Sequence, residues 1–233
     1  KESGDREAMH RYAGATARLT EDMLSDAKEL LDTMGIPWVQ APGEGEAQAA
    51  HMTSKGDAYA VMSQDADALL FGTPRLVKNI SVTGKRKLPG KNMWVATQPE
   101  IIELEKILEA FEITKEQLII TSMLIGTDYN PHGIKGMGPA KALKLVKEEK
   151  TLKNVLKKIE WTFDSDPYKV FDLFINPDVT DDYKIKFGAA DKDKIRKLLI
   201  DKHEFSEERI ENTLKKLDDI KKQRQQKSLF GWK

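Results

Sequence analysis

The segment "PGEGEAQAAHMTSKGDAYAVMSQDADALLF", residues 42–71, constrains this chain most. It holds two acid-x-acid pairs, Glu44 with Glu46 and Asp65 with Asp67. Each stands where an apolar, strand-like run gives way to a helical pattern: "PWVQA" before the first, "AYAVMS" before the second. A short apolar run without alternation, such as "AYAVMS", reads as a strand buried on both faces. A chain that repeats strand, acid pair and helix is driven toward an α/β layering. In such folds ligands sit in the crevice outside the carboxyl ends of the strands. Both pairs fall at such ends.

The rest of the chain fits that frame. Leu24, Ala27, Leu30, Leu31 and Met34 recur at helical spacing within 5–34, and Gly35 then Pro37 stop the helix. A small-residue helix follows over about 44–53, and "ADALLF" is one helical turn or more. "RLVKNISV" and "NMWVAT" read as two strands joined by the basic turn "TGKRKLPGK", which holds Lys85, Arg86, Lys87 and Lys91. Pro99 is expected at the first position of a helix reaching about 111. Further helices are expected over 114–125, 139–149, 151–158, 167–174, 191–201 and 206–225. The expected fold is α/β, a parallel or mixed sheet with helices on both faces, followed by a helical second half.

Composition narrows the function classes. The 233 residues hold 38 basic and 38 acidic side chains, so any nucleic-acid partner must be met by local charge. There is no cysteine, which excludes disulfides and thiolate metal sites. The four histidines are scattered, and no apolar run is long enough to span a membrane. With no signal peptide in view, an intracellular chain is expected.

Like charges about 4 Å apart repel by roughly 4 kcal/mol at an effective dielectric of 20. Glu44, Glu46, Asp65, Asp67 and a fifth candidate, Asp128 in "LIGTDYNPHGIKGMGP", therefore need cations or must hold protons. Magnesium suits an all-oxygen site that works beside phosphates. Two such ions stabilise attack and departure at a phosphodiester. The plainer alternative is that these acids cap helices or complement helix dipoles. Two pairs at equivalent strand ends, with Asp128, favour the metal site.

"GIKGMGPAKALKLVK", residues 133–147, offers a second chemistry. Gly136 and Gly138 permit a tight turn with exposed N–H groups. Pro139 opens a helix whose N-terminus favours an anion. Lys141, Lys144 and Lys147 share one face, and Leu143 and Val146 are expected to point inward. Glycines for close approach, a helix N-terminus and lysines for counterion release suit a DNA backbone read without regard to sequence. The alternative is a helix hairpin with a solvated lysine face. The basic turn at 85–91 is a less specific DNA contact.

At "APGEGEAQAA", "SQDADALLFG", "LIGTDYNPHGIKGMGPAKAL" and "FSEERIENTLKKL" the sequence resembles the flap endonucleases of the archaeal and eukaryotic branch. The resemblance covers nearly the whole chain. It implies a PIN-like (Rossmann-like) nuclease core and a two-magnesium 5′-flap endonuclease and 5′–3′ exonuclease of DNA replication and repair. It implies that Glu44 and Glu46 serve one ion and Asp65, Asp67 and Asp128 the other. Glu44, Gly126 and Asp128 match DNA-contacting positions. The stretch 133–140, with Gly133, Lys135, Gly136 and Gly138, and then Lys141 and Lys144, looks like the family's helix–two-turn–helix, often with potassium on its backbone carbonyls.

The departure from the family lies at the start of the chain. Nothing matches the family's first strand, two further metal aspartates, wedge or most of its helical arch. Residues 1–18 would be the arch's last helix. The expected organisation is 1–125 as the C-terminal part of the nuclease core, 126–220 as the helical DNA-binding region, and 221–233 as a flexible clamp-binding tail. A separate N-terminal nuclease piece is an expected partner, and the chain alone is expected to be poorly active. In the tail, Gln226, Leu229 and Trp232 follow Q-x-x-L-x-x-aromatic, with Phe230 between, which resembles the motif that binds the sliding clamp PCNA. Lys233 stands where the family usually has a second aromatic. The rival class is a non-catalytic DNA- and clamp-binding subunit. For an archaeal source the expected place is the cytoplasm or nucleoid.

Overall fold

Leu76 shows how the sheet is built. It is fully buried at the centre of a row, with Val61 on one side and Ile102 on the other. A computed structural model describes residues 19–80, 84–88 and 93–229, with the side chains of 86–87 and 220–229 not among those described. Residues 1–18, Lys91, Phe230 and Trp232 lie outside the described residues. So do the side chains of Arg86, Lys87, Gln226 and Leu229.

The chain divides into two compact units. The larger spans Gln40–Tyr183. Its strands are β1 (Val61–Met62), β2 (Arg75–Lys78), β3 (Lys85–Lys87), β4 (Trp94–Ala96) and β5 (Glu100–Glu103). β1 runs parallel to β2, and β5 antiparallel to it, giving a mixed sheet in the order β1-β2-β5. β3 and β4 pair antiparallel apart from that sheet, so Lys85, Arg86 and Lys87, expected in a turn, are strand residues, and "RLVKNISV" pairs with β5 rather than with "NMWVAT". Val61, Leu76 and Ile102 face a core made with Ala68, Leu69 and Leu104. The neighbouring row, Met62, Val77 and Ile101, faces the other way, because successive strand residues alternate.

The helices of this unit follow chain order. α2 (Gly45–Ser54) precedes β1, α3 (Asp67–Leu70) follows it, and α4 (Leu104–Phe111) and α5 (Lys115–Ile125) follow β5. Then come α6 (Pro139–Glu149), α7 (Leu152–Leu156) and α8 (Pro167–Ile175). Thr114 caps α5 in a full capping box with Gln117, which explains a sharp start there. The main apolar cluster joins Ala47 and Ala50 of α2 to Phe71, α5, α6 and Phe174 of α8. It crosses residue 125, so the helices packed near the sheet and those of the helical half share one core.

The smaller unit holds α1 (Glu21–Met34), α9 (Lys192–Arg196), a π-helical turn (Lys197–Lys202) and α10 (Glu207–Leu229). Ile195, Ile210 and Leu214 form its core, with Met34 and Leu217 against it. α1 ends at Gly35, as expected: its φ of 67° is left-handed, and its N–H reaches back to Asp32. Any Cβ there would lie 2.6 Å from the Gly188 carbonyl carbon.

Four further expectations are corrected. "PWVQA" forms no strand, since no described strand lies beside it to make a ladder. "AYAVMS" keeps only two ladder residues, since β1 pairs with β2 alone among the described strands, and it is not fully buried: Met62, on the face away from the core that covers Val61, is 65% exposed. Pro99 does not open a helix; it precedes β5, and the helix begins at Leu104. Ile101 and Ile102 favour a strand there, and a proline is tolerated at an edge-strand entry. The helix expected over 191–201 is α-helical only to Arg196 and then widens to the π form.

In α6 the inward residues are Ala142 and Val146, with Leu145 packed against the cluster, whereas Leu143 is half-buried. Among the described residues no helix is long and apolar enough to cross a membrane.

Candidate active site

Three segments of the larger unit bring the carboxylates together. α2 begins with Glu44 as its N-cap residue and Glu46 in its first turn. The turn after β1 carries Asp65, and α3 opens on Asp67. The turn after α5 carries Asp128. Strand end, helix start and helix exit thus converge on one surface, as the sheet's direction requires.

The capping alternative fails for Glu44, whose side chain makes no cap bond to α2. Its Oε1 instead accepts from the Tyr129 hydroxyl at 2.7 Å. Glu46 accepts from the Ser63 hydroxyl at 2.6 Å. Capping holds in part for Asp65, whose Oδ1 accepts from the Ala66 N–H at 2.6 Å. The Ser63 oxygen also accepts from the Asp65 N–H at 3.0 Å.

Asp67 reports the charge density. Burial first, then repulsion from Asp65, Asp128, Glu46 and Glu44 in that order, push its carboxyl from 3.8 to about 6. All four other carboxylates act on it, so the five acids form one electrostatic cluster. Burial and the Glu44 carboxylate hold the Tyr129 phenol above its ordinary range, which keeps it a donor. Glu44, Asp65 and Asp128 are exposed and Glu46 and Asp67 half-buried, so the cluster is open to solvent.

Among the described residues no three acidic or histidine side chains converge closely enough to form a metal cage. The donor set is nevertheless all oxygen and strongly anionic. Magnesium needs only one or two protein carboxylates beside its waters and a phosphate. The residues present therefore fit such an ion by type, charge and accessibility.

Side-chain bonds fix the scaffold around the site. Gln48 clasps the backbone of Thr180 from both sides, at 2.9 and 2.8 Å. Asp181 accepts from His51 and Lys55, both at 2.7 Å. These bonds strap residues 180 and 181 to α2 and its C-cap. A cavity of about 300 Å³ beside Glu44 is walled by Ala47, Phe71, Leu173 and Pro177.

The glycine-rich turn follows directly. Gly126 ends α5 at φ 129° and Gly133 turns at φ 59°. A Cβ on Gly133 would lie 2.2 Å from the Ile125 carbonyl carbon. Buried Asn130 pins the turn, donating to Met123 O at 2.6 Å and accepting from the Thr127 hydroxyl at 2.6 Å. Gly136 adopts φ 77°, and exposed Gly138 is the N-cap of α6 with no side-chain cap. Lys135, Lys141 and Lys144 are exposed beside it. The Lys141 ammonium rests on the Gly136 carbonyl at 3.3 Å. Lys144 faces Glu148 at 3.9 Å and Lys147 faces Glu112 at 3.4 Å.

Ser63 and Tyr129 were not read from the sequence as site residues. Tyr129 adjoins Asp128, which was a signal, but its partner lies 85 positions away.

Comparison with known proteins places this geometry. A family model described as "XPG I-region" matches residues 35–128, the stretch that contains all five carboxylates. Flap endonuclease 1 of Staphylothermus marinus is 56% identical over 215 residues, covering 92% of this chain and 61% of the relative. That of Hyperthermus butylicus is 50% identical over 233 residues, covering 98% and 67%. Among solved structures, flap endonuclease-1 from Methanococcus jannaschii matches with a TM-score of 0.71 at 42% identity, covering 92% of this chain and 62% of that one. The catalytic core of Rad2 in complex with DNA substrate matches with a TM-score of 0.68 at 26% identity, covering 91% and 73%. The fold is thus the α/β, PIN-like nuclease core with its helical region. The chain spans about three fifths to two thirds of the length of the curated relatives it matches. At 50% identity to a relative of which it covers 67%, this chain belongs to the flap endonuclease 1 family.

Proposed function

We propose that this chain carries the carboxylate site and DNA-binding helices of a structure-specific 5′-flap endonuclease and 5′–3′ exonuclease. The observation that carries the reading is the convergence of five carboxylates from three segments on one open surface, with hydroxyls from the turns after β1 and α5 bonded to Glu46 and Glu44. Such a cluster has no use in a protein that only binds DNA and a clamp. Bound magnesium ions would supply the Lewis acidity and charge neutralisation that phosphodiester hydrolysis needs. Glu44 and Glu46 would serve one ion and Asp65, Asp67 and Asp128 the other, directly or through the ion's waters.

The chain's own groups do the binding and orienting. The exposed N-terminus of α6 and the N–H groups near Gly136 and Gly138 take a phosphate of the downstream duplex. Lys135, Lys141 and Lys144 flank it and release counterions. Gly126, Asp128 and Glu44 contact the strand at the carboxylate end. Potassium would sit on the carbonyls of the 133–140 turn, where Lys141 already sets a cation against Gly136. The tail residues Gln226, Leu229, Phe230 and Trp232 would engage the sliding clamp PCNA. The organisation proposed is 1–125 core, 126–220 DNA-binding helices and 221–233 tail. The setting proposed is DNA metabolism inside the cell, with no membrane partner.

The test is cleavage of a labelled 5′-flap substrate in magnesium. It uses the chain alone and the chain supplemented in trans with the N-terminal region of a relative. Asp65→Asn serves as the contamination control. Magnesium-dependent flap cleavage, weak alone and strong when supplemented, is expected, with none in the control. Flap binding without cleavage in either preparation would leave the non-catalytic reading standing.

A further inference from the structure

Each glutamate of the first acid pair is held by a hydroxyl from a different acidic segment. Ser63 lies two residues before Asp65; it donates to Glu46 at 2.6 Å and accepts from the Asp65 N–H at 3.0 Å. Tyr129 directly follows Asp128 and donates to Glu44 at 2.7 Å. One hydroxyl therefore ties α2 to the turn after β1, and the other ties α2 to the turn after α5.

The Tyr129 hydroxyl makes no bond within its own segment, whereas the Ser63 hydroxyl also holds the Asp65 turn. The Tyr129 ring is placed by an edge-on contact with Phe174, centroids 5.9 Å apart. Its backbone carbonyl accepts from the Ser165 hydroxyl at 3.0 Å and its N–H donates to the Thr127 hydroxyl at 3.3 Å. The phenol oxygen is thus an extra group, aimed at Glu44. Ser63 is poised by chemistry: with one lone pair taken by the Asp65 N–H, its proton goes to Glu46. A carboxylate accepts at two oxygens, so fixing Oε1 orients Oε2. Partners of this kind around ligating carboxylates commonly set metal affinity about 10- to 100-fold.

We propose that Ser63 and Tyr129 are positioning residues, which hold Glu46 and Glu44 in register with the aspartate turns so that the cluster accepts divalent cations. The inference rests on the metal-site reading above. The three carboxylate segments come from parts of the chain up to 85 residues apart, and these two hydroxyls are side-chain links between them.

The test uses the full 233-residue chain and Mn2+ as the paramagnetic probe, with free ion read by electron paramagnetic resonance at fixed pH and salt. Wild type, Tyr129→Phe, Ser63→Ala, Ser63→Thr and Asp67→Asn are compared, and each is melted in metal-free buffer. Tyr129→Phe and Ser63→Ala are expected to weaken Mn2+ binding about ten-fold or more. Their melting points should stay near wild type, and Ser63→Thr, which keeps the hydroxyl, should bind as wild type does. Undiminished binding in both Tyr129→Phe and Ser63→Ala, with loss in Asp67→Asn, would overturn the positioning role and leave the metal site intact. A wild-type chain whose Mn2+ binding equals that of Asp67→Asn would overturn the metal-site reading, and the positioning role with it.

Discussion

Tyr129 reaches across 85 residues of sequence to place its hydroxyl 2.7 Å from the carboxylate of Glu44, while its ring stands edge-on to Phe174. Phe174 in turn packs on Phe71 at 5.0 Å. An aromatic column from α8 to the end of α3 thus supports the acidic surface from below. Phe174 is fully buried, and a buried Phe→Ala change costs about 3–5 kcal/mol. Phe174→Ala should lower the denaturant midpoint accordingly and loosen divalent-ion binding as Tyr129 loses its support. A variant of wild-type stability would show that this column is not part of the core.

The acidic cluster should leave a pH signature. Asp67 titrates near 3.8 when unperturbed and at about 6 in the fold, so the native state holds the extra proton between those values. Its contribution to stability is present below about pH 4 and is lost as pH rises through 6. Asp67→Asn removes that dependence. After allowing for screening of a half-exposed group, the variant should gain of order 1 kcal/mol over wild type at pH 7.5 and nothing at pH 4. Urea unfolding of both proteins in chelator at the two pH values measures the difference. Equal gaps at pH 4 and 7.5 would contradict the assigned repulsion.

Gly133 should tolerate no side chain. Its φ is 59°, and a Cβ would lie 2.2 Å from the Ile125 carbonyl carbon, which cannot retreat because α5 is packed. Gly133→Ala is expected to cost about 2 kcal/mol or more and to misplace both Asp128 and the α6 N-terminus. Thermal melting together with flap binding reads both effects. Gly136→Ala is the contrast, since nothing lies within 4 Å of a Cβ there and only its φ of 77° opposes the change.

The lysines at the glycine-rich turn should act through salt. Replacing Lys135, Lys141 or Lys144 by Gln should weaken duplex binding for all sequences alike. Each should reduce the slope of log affinity against log salt by about 1. Lys147 is engaged by Glu112 at 3.4 Å, so Lys147→Gln should change the slope less. Binding titrations between 50 and 200 mM salt, roughly the range over which such contacts are read, provide the comparison. A sequence-dependent loss would argue against backbone recognition.

Clamp engagement should separate from cleavage. Leu229→Ala with Trp232→Ala is expected to abolish PCNA binding and to leave unaided flap cleavage unchanged. Titration calorimetry showing undiminished affinity in the double variant would remove the tail from the interface.

Much of this protein was legible in its sequence because local rules decide it. Gly35 ends α1, Thr114 starts α5, Pro139 starts α6 and Pro167 starts α8, each by a capping or backbone constraint that acts within a few residues. The clustering of the five carboxylates was legible too, because acid pairs at the ends of apolar runs have few inexpensive places to go; that they hold metal is the proposal. What only the tertiary structure decided depends on partners distant in sequence. "PWVQA" and most of "AYAVMS" lack a ladder because a strand exists by pairing, and the described neighbours offer one only to Val61 and Met62. β5 displaced the start of an expected helix because β2 presented it an edge, which outweighed the local signal of Pro99. Glu44 finds Tyr129, and Glu46 finds Ser63, only after the sheet and α5 bring three turns to one surface. Hydrogen bonds of that kind have no period in sequence, since their geometry is set by packing rather than by the local chain.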